Sequence, residues 1–164
     1  MLYAPVRFKG CDIGFAAFEL AKKSVPHLRM VCLSDPEPPP GLPVGVEFVS
    51  RPSQDRIRDV YAACDAWLFC SRSEGFGLPI LEAMKCGTPV VAGNRTSIPE
   101  VAGEAALLFD PFDVHSLVEA LKQVLNDSEY RANLSAKGLQ RANEFNWQRT
   151  ARLTLAAYEK AAGK

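Results

Sequence analysis

A chain of 164 residues with 48% hydrophobic and 23% charged residues has the composition of a folded domain with its own core, which excludes a disordered chain. Nineteen basic residues balance nineteen acidic ones, so no global field favours nucleic acid or an anionic membrane as partner. The five cysteines, Cys11, Cys32, Cys64, Cys70 and Cys86, form no Cys-x-x-Cys pair, and read as reduced thiols packed as small apolar groups rather than as metal ligands or disulfides.

Residues 2–6 read as a short strand. Residues 11–23 follow with Phe15, Ala16, Phe18, Leu20 and Ala21 at helical spacing, and residues 28–33 as a buried strand. Lys9, Asp12, Glu19, Lys22 and Lys23 interrupt the apolar residues here, which argues against a signal peptide. No run in the chain is long enough to span a bilayer. With the cysteine pattern, this predicts a cytoplasmic location.

Pro36, Pro38, Pro39, Pro40 and Pro43 forbid regular structure until about Val46. Residues 46–49 read as a third strand and 54–64 as a helix with Ile57, Val60 and Tyr61 on one side. The continuous apolar run 66–70 suits a central parallel strand covered on both faces. Residues 79–86 read as a helix with Pro79 at its first position and Gly87 ending it. Strands follow at 88–92 and 105–109, then an amphipathic helix at 113–126 and two more at 128–145 and 147–162. Strand and helix alternate without an internal repeat. That predicts an α/β fold, a Rossmann-like open parallel sheet of about six strands with helices on both faces.

Such sheets bind ligands beyond the carboxyl ends of their strands. The turns after strands are Lys9-Gly10, Ser50-Arg51, the stretch from Ser71 to Gly77, and that from Gly93 to Pro99. The third carries the strongest signal: Ser71-Arg72-Ser73-Glu74-Gly75-Phe76-Gly77-Leu78-Pro79 leaves a central strand and opens a helix. Gly75 and Gly77 let the backbone approach a ligand closely, and the amides of Gly77, Leu78 and the first helical turn suit an anion such as a phosphate. Glu74 stands at the mouth of the turn and Glu82 about one turn inside the helix, whose side chains lean back toward its N-terminus.

Carboxylates at close range repel a diphosphate but accept strongly from neutral hydroxyls. Amides for phosphate with a glutamate on either side match the order ribose, diphosphate, hexose of a nucleotide-sugar. Either glutamate alone reads as a helix cap or a complement to the helix dipole; the two together, with Gly-Phe-Gly-Leu-Pro between them, favour the ligand.

Glu74-Gly75-Phe76-Gly77-Leu78-Pro79-Ile80-Leu81-Glu82-Ala83-Met84 resembles the signature of retaining nucleotide-sugar glycosyltransferases built of two Rossmann-like domains, the GT-B architecture ("glycosyl transferases group 1"). The resemblance continues through Gly87-Thr88-Pro89-Val90-Val91-Ala92, Ile98-Pro99-Glu100-Val101-Ala102-Gly103 and the helix after Asp110-Pro111. Phe145-Asn146-Trp147 resembles the aromatic signal before the family's last helix. It covers residues 46–160 well and the first 45 less well.

The resemblance implies that Glu74 contacts hydroxyls of the donor sugar, that Glu82 holds the ribose, and that the amides around Gly75, Phe76, Gly77 and Leu78 face the sugar and phosphates. The family's basic pair, an arginine ending the first strand and a lysine before glycine, is matched only by Lys9-Gly10. Arg7 either substitutes from a displaced position, or phosphate binding leans on Lys9; as ordinary solvated charges both need no role. Arg51 falls where the family surrounds the base, mostly with backbone. Arg95 to Ile98 borders the sugar or simply packs. His27 and His115 need no explanation, and the Leu117 and Val118 stripe is core.

The implied reaction is transfer of a glycosyl group from a nucleoside-diphosphate sugar to an acceptor hydroxyl with retention, in glycan, polysaccharide or glycolipid synthesis. Glu74 and Lys9 are its catalytic candidates, with Glu74 orienting the donor rather than attacking it. The donor is a substrate and no cofactor is expected. No Asp-x-Asp is present, so metal independence is expected.

Residues 1–164 match the C-terminal, donor-binding half of such an enzyme. The N-terminal acceptor domain is then missing, Met1 marks a cut, and the fragment alone is inactive. Apolar residues of the last helix are expected to be exposed where that domain would pack, and peripheral membrane association stays open for the full enzyme. The alternatives are a relative of the same architecture, such as an epimerase or phosphorylase (the latter without a pyridoxal-binding lysine context), and a non-catalytic nucleotide-sugar-binding module.

Overall fold

The computed structural model describes residues 1–34 and 37–163, so Pro36 of the proline-rich stretch lies outside the described residues. Among the described residues, five strands in two parallel sheets carry the fold: β1 (Met30–Ser34) and β2 (Val46–Ser50) in one, β3 (Trp67–Phe69), β4 (Val90–Gly93) and β5 (Ala106–Phe109) in the other. β1 pairs with β2 from Met30↔Val46 to Ser34↔Ser50, and β3, β4 and β5 pair in that order. The expected strand at 2–6 contracts to a single bridge, Leu2↔Leu33. Its ladder stops after the Tyr3 amide donates to Leu33 O at 2.8 Å, because Pro5 has no N–H to continue it and residues Arg7–Lys9 coil into a 3-10 turn.

The strands read as continuous apolar runs, yet their side chains alternate between two cores, as the pleat requires. Cys32, Leu68, Cys70 and Val91 enter one core with Phe18 and Leu117; Leu33, Trp67, Phe69, Val90 and Ala92 enter the other with Ile80 and Ile98. Helices α1 (Cys11–Lys22) and α5 (Val114–Asn126) cover the first face. Helices α2 (Gln54–Ala63), α3 (Leu78–Lys85) and α4 (Ile98–Ala102) cover the second. Helix α6 (Ser128–Asn143) reaches both, with Leu134 in the first core and Ala142 in the second. Helix α7 (Trp147–Ala161) buries none of its residues, and Trp147 and Tyr158 are 76% and 70% exposed.

Two boundaries differ in an instructive way. Helix α3 begins at Leu78, with Gly77 as its cap at φ 97°, so Pro79 takes the second helical position. Helix α4 occupies part of the strand-end loop after β4; it is short enough that its apolar residues show no helical period, and Pro99 starts it by fixing φ. The thiols of Cys11, Cys32 and Cys70 are free and buried, and burial pushes the Cys32 thiol up to about 11, as for inert packed cysteines.

Among the glycines of the described residues, the tightest approach is at Gly10, which ends the Lys9 turn at φ 66°. A Cβ built there would lie 2.1 Å from Cys70 O at the end of β3. Gly10→Ala combines a left-handed backbone with an overpacked contact, and is expected to lower unfolding stability in urea by roughly 2–5 kcal/mol. A loss below about 1 kcal/mol would show that the turn moves freely off the strand.

Candidate functional site

The close seat of Gly10 on β3 carries Lys9 to the turn after that strand. Lys9 Nζ donates to Glu74 Oε1 at 2.7 Å, across 65 positions of chain. The buried Ser71 hydroxyl donates to the same oxygen at 2.6 Å. One carboxylate oxygen therefore takes both bonds, and a carboxylate has further acceptor positions to offer a ligand. Glu74 does not cap α3: that helix has no side-chain cap. Among the described residues, the amides of Gly77 and Leu78 find no protein acceptor, and at a helix N-terminus such amides favour an anion.

The loop between β4 and α4 straps the turn. Thr96, in the left-handed region at φ 52°, accepts from the Glu74 amide at 2.9 Å, and Ser97 Oγ donates to Glu74 O at 2.9 Å and to Phe76 O at 3.1 Å. Arg72 ties three further segments together. Its guanidinium donates to Arg7 O at 2.6 Å, to Pro111 O at 3.3 Å and to the Asp12 carboxylate at 2.9 Å. Burial works against the Asp12 charge, but the hydrogen bond and charge of Arg72 outweigh it and hold the carboxyl below its usual range. Phe76 leans its ring on Phe145 at 5.9 Å, and Arg141 lies over that ring at 4.8 Å. Phe145 thus supports the turn from the α6–α7 joint, while Asn146 beside it caps α7 by accepting from the Arg149 amide.

Glu82 projects on the other side of α3. Its Oε2 accepts from the Tyr61 hydroxyl at 2.9 Å, and it lines a cavity of about 260 Å³ with Arg51, Tyr61, Leu33, Ser34 and Ile57. Arg51 stands there at φ 46° with its amide donating to Ser34 O at 2.7 Å. Lys9, Glu74 and the Gly75, Phe76, Gly77 and Leu78 turn come together, and Arg51 comes together with Glu82. Arg7 does not join either group: it lines a separate cavity with Tyr3, Pro5 and Asp12.

The sequence assigns Arg72 no role, marks Thr96 and Ser97 only as part of the Arg95 to Ile98 stretch, and shows Tyr61 as one side of a helix. The partners of all four are distant in the chain, and no spacing marks them. Left-handed φ at Arg51 and Thr96, residues with a Cβ, is the structural sign that this rim is constrained.

Residues 40–141 match the family described as "Glycosyl transferases group 1". An O-antigen chain mannosyltransferase B of Escherichia coli is 46% identical over 114 residues, covering 70% of this chain and 30% of that protein. A sucrose-phosphate synthase of Thermosynechococcus elongatus superposes with a TM-score of 0.82 at 26% identity, over 99% of this chain and 45% of that one. The C-terminal domain of a glycosyl transferase group 1 family protein of Francisella tularensis superposes at 0.75 over 87% of this chain and 83% of that domain. At 23% identity, the last likeness concerns the fold alone. The chain thus spans well under two thirds of the curated relative it matches.

Ser97→Ala removes both hydrogen bonds that hold the turn's carbonyls. Amide exchange at Glu74, whose N–H is held by the neighbouring Thr96, is expected to quicken by about tenfold, with the amides of β3 unaffected. Unchanged exchange in mass-spectrometric measurement would show that Thr96 and Phe145 suffice to hold the turn.

Proposed function

The chain belongs to the group 1 glycosyl transferases, and from that membership we propose that it is the donor-binding, C-terminal domain of a retaining, metal-independent glycosyltransferase. The observation that carries the reading is the joint placement of Lys9, Glu74 and the uncapped start of α3 at the end of β3. The donor is a nucleoside-diphosphate sugar. The relative named for mannosyl transfer in O-antigen chain synthesis supports a hexosyl donor and a glycan acceptor.

The division of labour follows from charge. The diphosphate lies at the amides of Gly77 and Leu78 and draws Lys9 Nζ away from its pairing with Glu74. Glu74 then turns its oxygens to hydroxyls of the sugar. In the reaction, the bond between the anomeric carbon and the diphosphate oxygen breaks and its electron pair leaves with the diphosphate. The acceptor oxygen bonds to the anomeric carbon on the same face, and its proton passes to the departing diphosphate oxygen. Lys9 and the helix amides stabilise the charge that accumulates on the leaving group, where preorganised donors act most strongly. A cation and a helix terminus do this without a metal. Glu82 takes the ribose, and Arg51 borders the base. The acceptor comes from a second, N-terminal domain, and the exposed apolar residues of α7 support packing against it.

Titration calorimetry on the full-length protein separates these roles. Lys9→Ala is expected to weaken nucleoside diphosphate binding by about tenfold or more, as for loss of a charge-assisted contact. Glu74→Gln is expected to keep or improve diphosphate binding, because it frees Lys9, while losing the added affinity that the sugar brings. Transfer is expected to continue undiminished in EDTA. No binding of UDP, GDP or ADP at millimolar concentration would sink the donor-site reading.

A further inference from the structure

Tyr61 has a hydroxyl that bonds to one of the two glutamates and a body that belongs to the core. The residue is 3% exposed. Its ring meets Trp67 edge-on at 4.4 Å, and its carbonyl accepts from the buried Thr88 hydroxyl at 2.6 Å. The tyrosine is therefore fixed against β3 and the start of β4. Glu82, by contrast, is exposed on the outer side of α3. An exposed glutamate on a helix samples several rotamers, and ordering it costs entropy. The bond from Tyr61 to Glu82 Oε2 at 2.9 Å selects one of them. In that rotamer the carboxylate lines the cavity that holds Arg51.

We propose that Tyr61 is a positioning residue that sets the chain's preference for ribose, by presenting the Glu82 carboxylate to the two neighbouring ribose hydroxyls. This rests on the reading of Glu82 as the ribose ligand. Ribose offers adjacent 2′ and 3′ donors, and a carboxylate held in plane accepts both at once. A carboxylate that must first be ordered loses part of that energy. Burial, reinforced by the Glu82 charge, raises the Tyr61 hydroxyl above its ordinary range, so it remains a donor at neutral pH. The bond also satisfies a buried hydroxyl, which is the purely structural role it has to be distinguished from.

The distinguishing measurement is discrimination rather than affinity. Dissociation constants are measured on the full-length protein for whichever of UDP, GDP and ADP binds most tightly, and for its 2′,3′-dideoxy counterpart. The unsubstituted protein is expected to prefer the ribo form. Tyr61→Phe, which keeps the ring, is expected to cut that preference by about fivefold, the size of one ordinary net hydrogen bond, with a melting temperature close to the parent's. In Glu82→Gln the preference is already gone, and adding Tyr61→Phe changes nothing further.

If Tyr61→Phe keeps the preference while Glu82→Gln loses it, Tyr61 is not a positioning residue and the reading of Glu82 stands. If Glu82→Gln keeps the preference, the reading beneath the inference falls with it. Trp67→Phe alters the packing under Tyr61 but leaves its hydroxyl. A loss of preference there as large as in Tyr61→Phe would assign the effect to packing and overturn the inference.

Discussion

Everything at the carboxyl end of this sheet depends on one backbone contact that no side chain permits. Gly10 rests against the Cys70 carbonyl at a separation where a Cβ would overlap the oxygen. That contact fixes where α1 starts, lays Phe8 O within reach of the Arg72 amide at 2.7 Å, and brings the Lys9 ammonium to Glu74. A turn displaced outward by the width of a methyl group would leave the cation in solvent, where its pairing with Glu74 would be worth little. The strip before it, Met1 to Tyr3, shares the task by joining β1 through Leu33.

Helix ends divide the molecule into two kinds of surface. α2, α5, α6 and α7 begin with side-chain caps from Ser53, Asp113, Asp127 and Asn146. α1, α3 and α4 begin without one, and all three start in the turns around Lys9, Gly77 and Ser97. A cap contributes about 1 kcal/mol, and the left-handed residues Arg51 and Thr96 each cost about 1–2 kcal/mol more. Local stability is thus relinquished at the rim of the strands and kept elsewhere. This is the pattern expected where helix amides serve a ligand in place of their own chain.

The legible part of the fold was the part governed by local period. α5 announces itself because Leu117, Val118, Leu121 and Val124 recur on one face, and all four are buried. The Glu74 to Leu78 turn was legible because Glu74 and Glu82 flank its glycines at a helix start, in a stretch that resembles the family's signature. The strand at 2–6 was not, since its end is decided by Pro5 and by a turn that docks on β3. Thr96 and Ser97 were marked only as members of a strand-end loop, because their partners, Glu74 and Phe76, lie more than twenty positions away. Tyr61 looked like core and is core; only its hydroxyl reaches out, to Glu82. Arg7 had the right chemistry near the right place, but its 3-10 turn directs it to a neighbouring cavity.

The path of α6 has a mechanical meaning. It begins in the layer of Leu117 and Phe18, with Leu134, and ends in the layer of Ile80 and Trp67, with Ala142. Along the way Ser135 donates to Gly87 O at 2.6 Å and Arg141 to Val101 O at 3.0 Å, closing the ends of α3 and α4. The helix acts as a clasp across the edge of the sheet, so neither layer opens while the other holds it shut. Through α6, stabilising one layer also raises the free energy of opening the other.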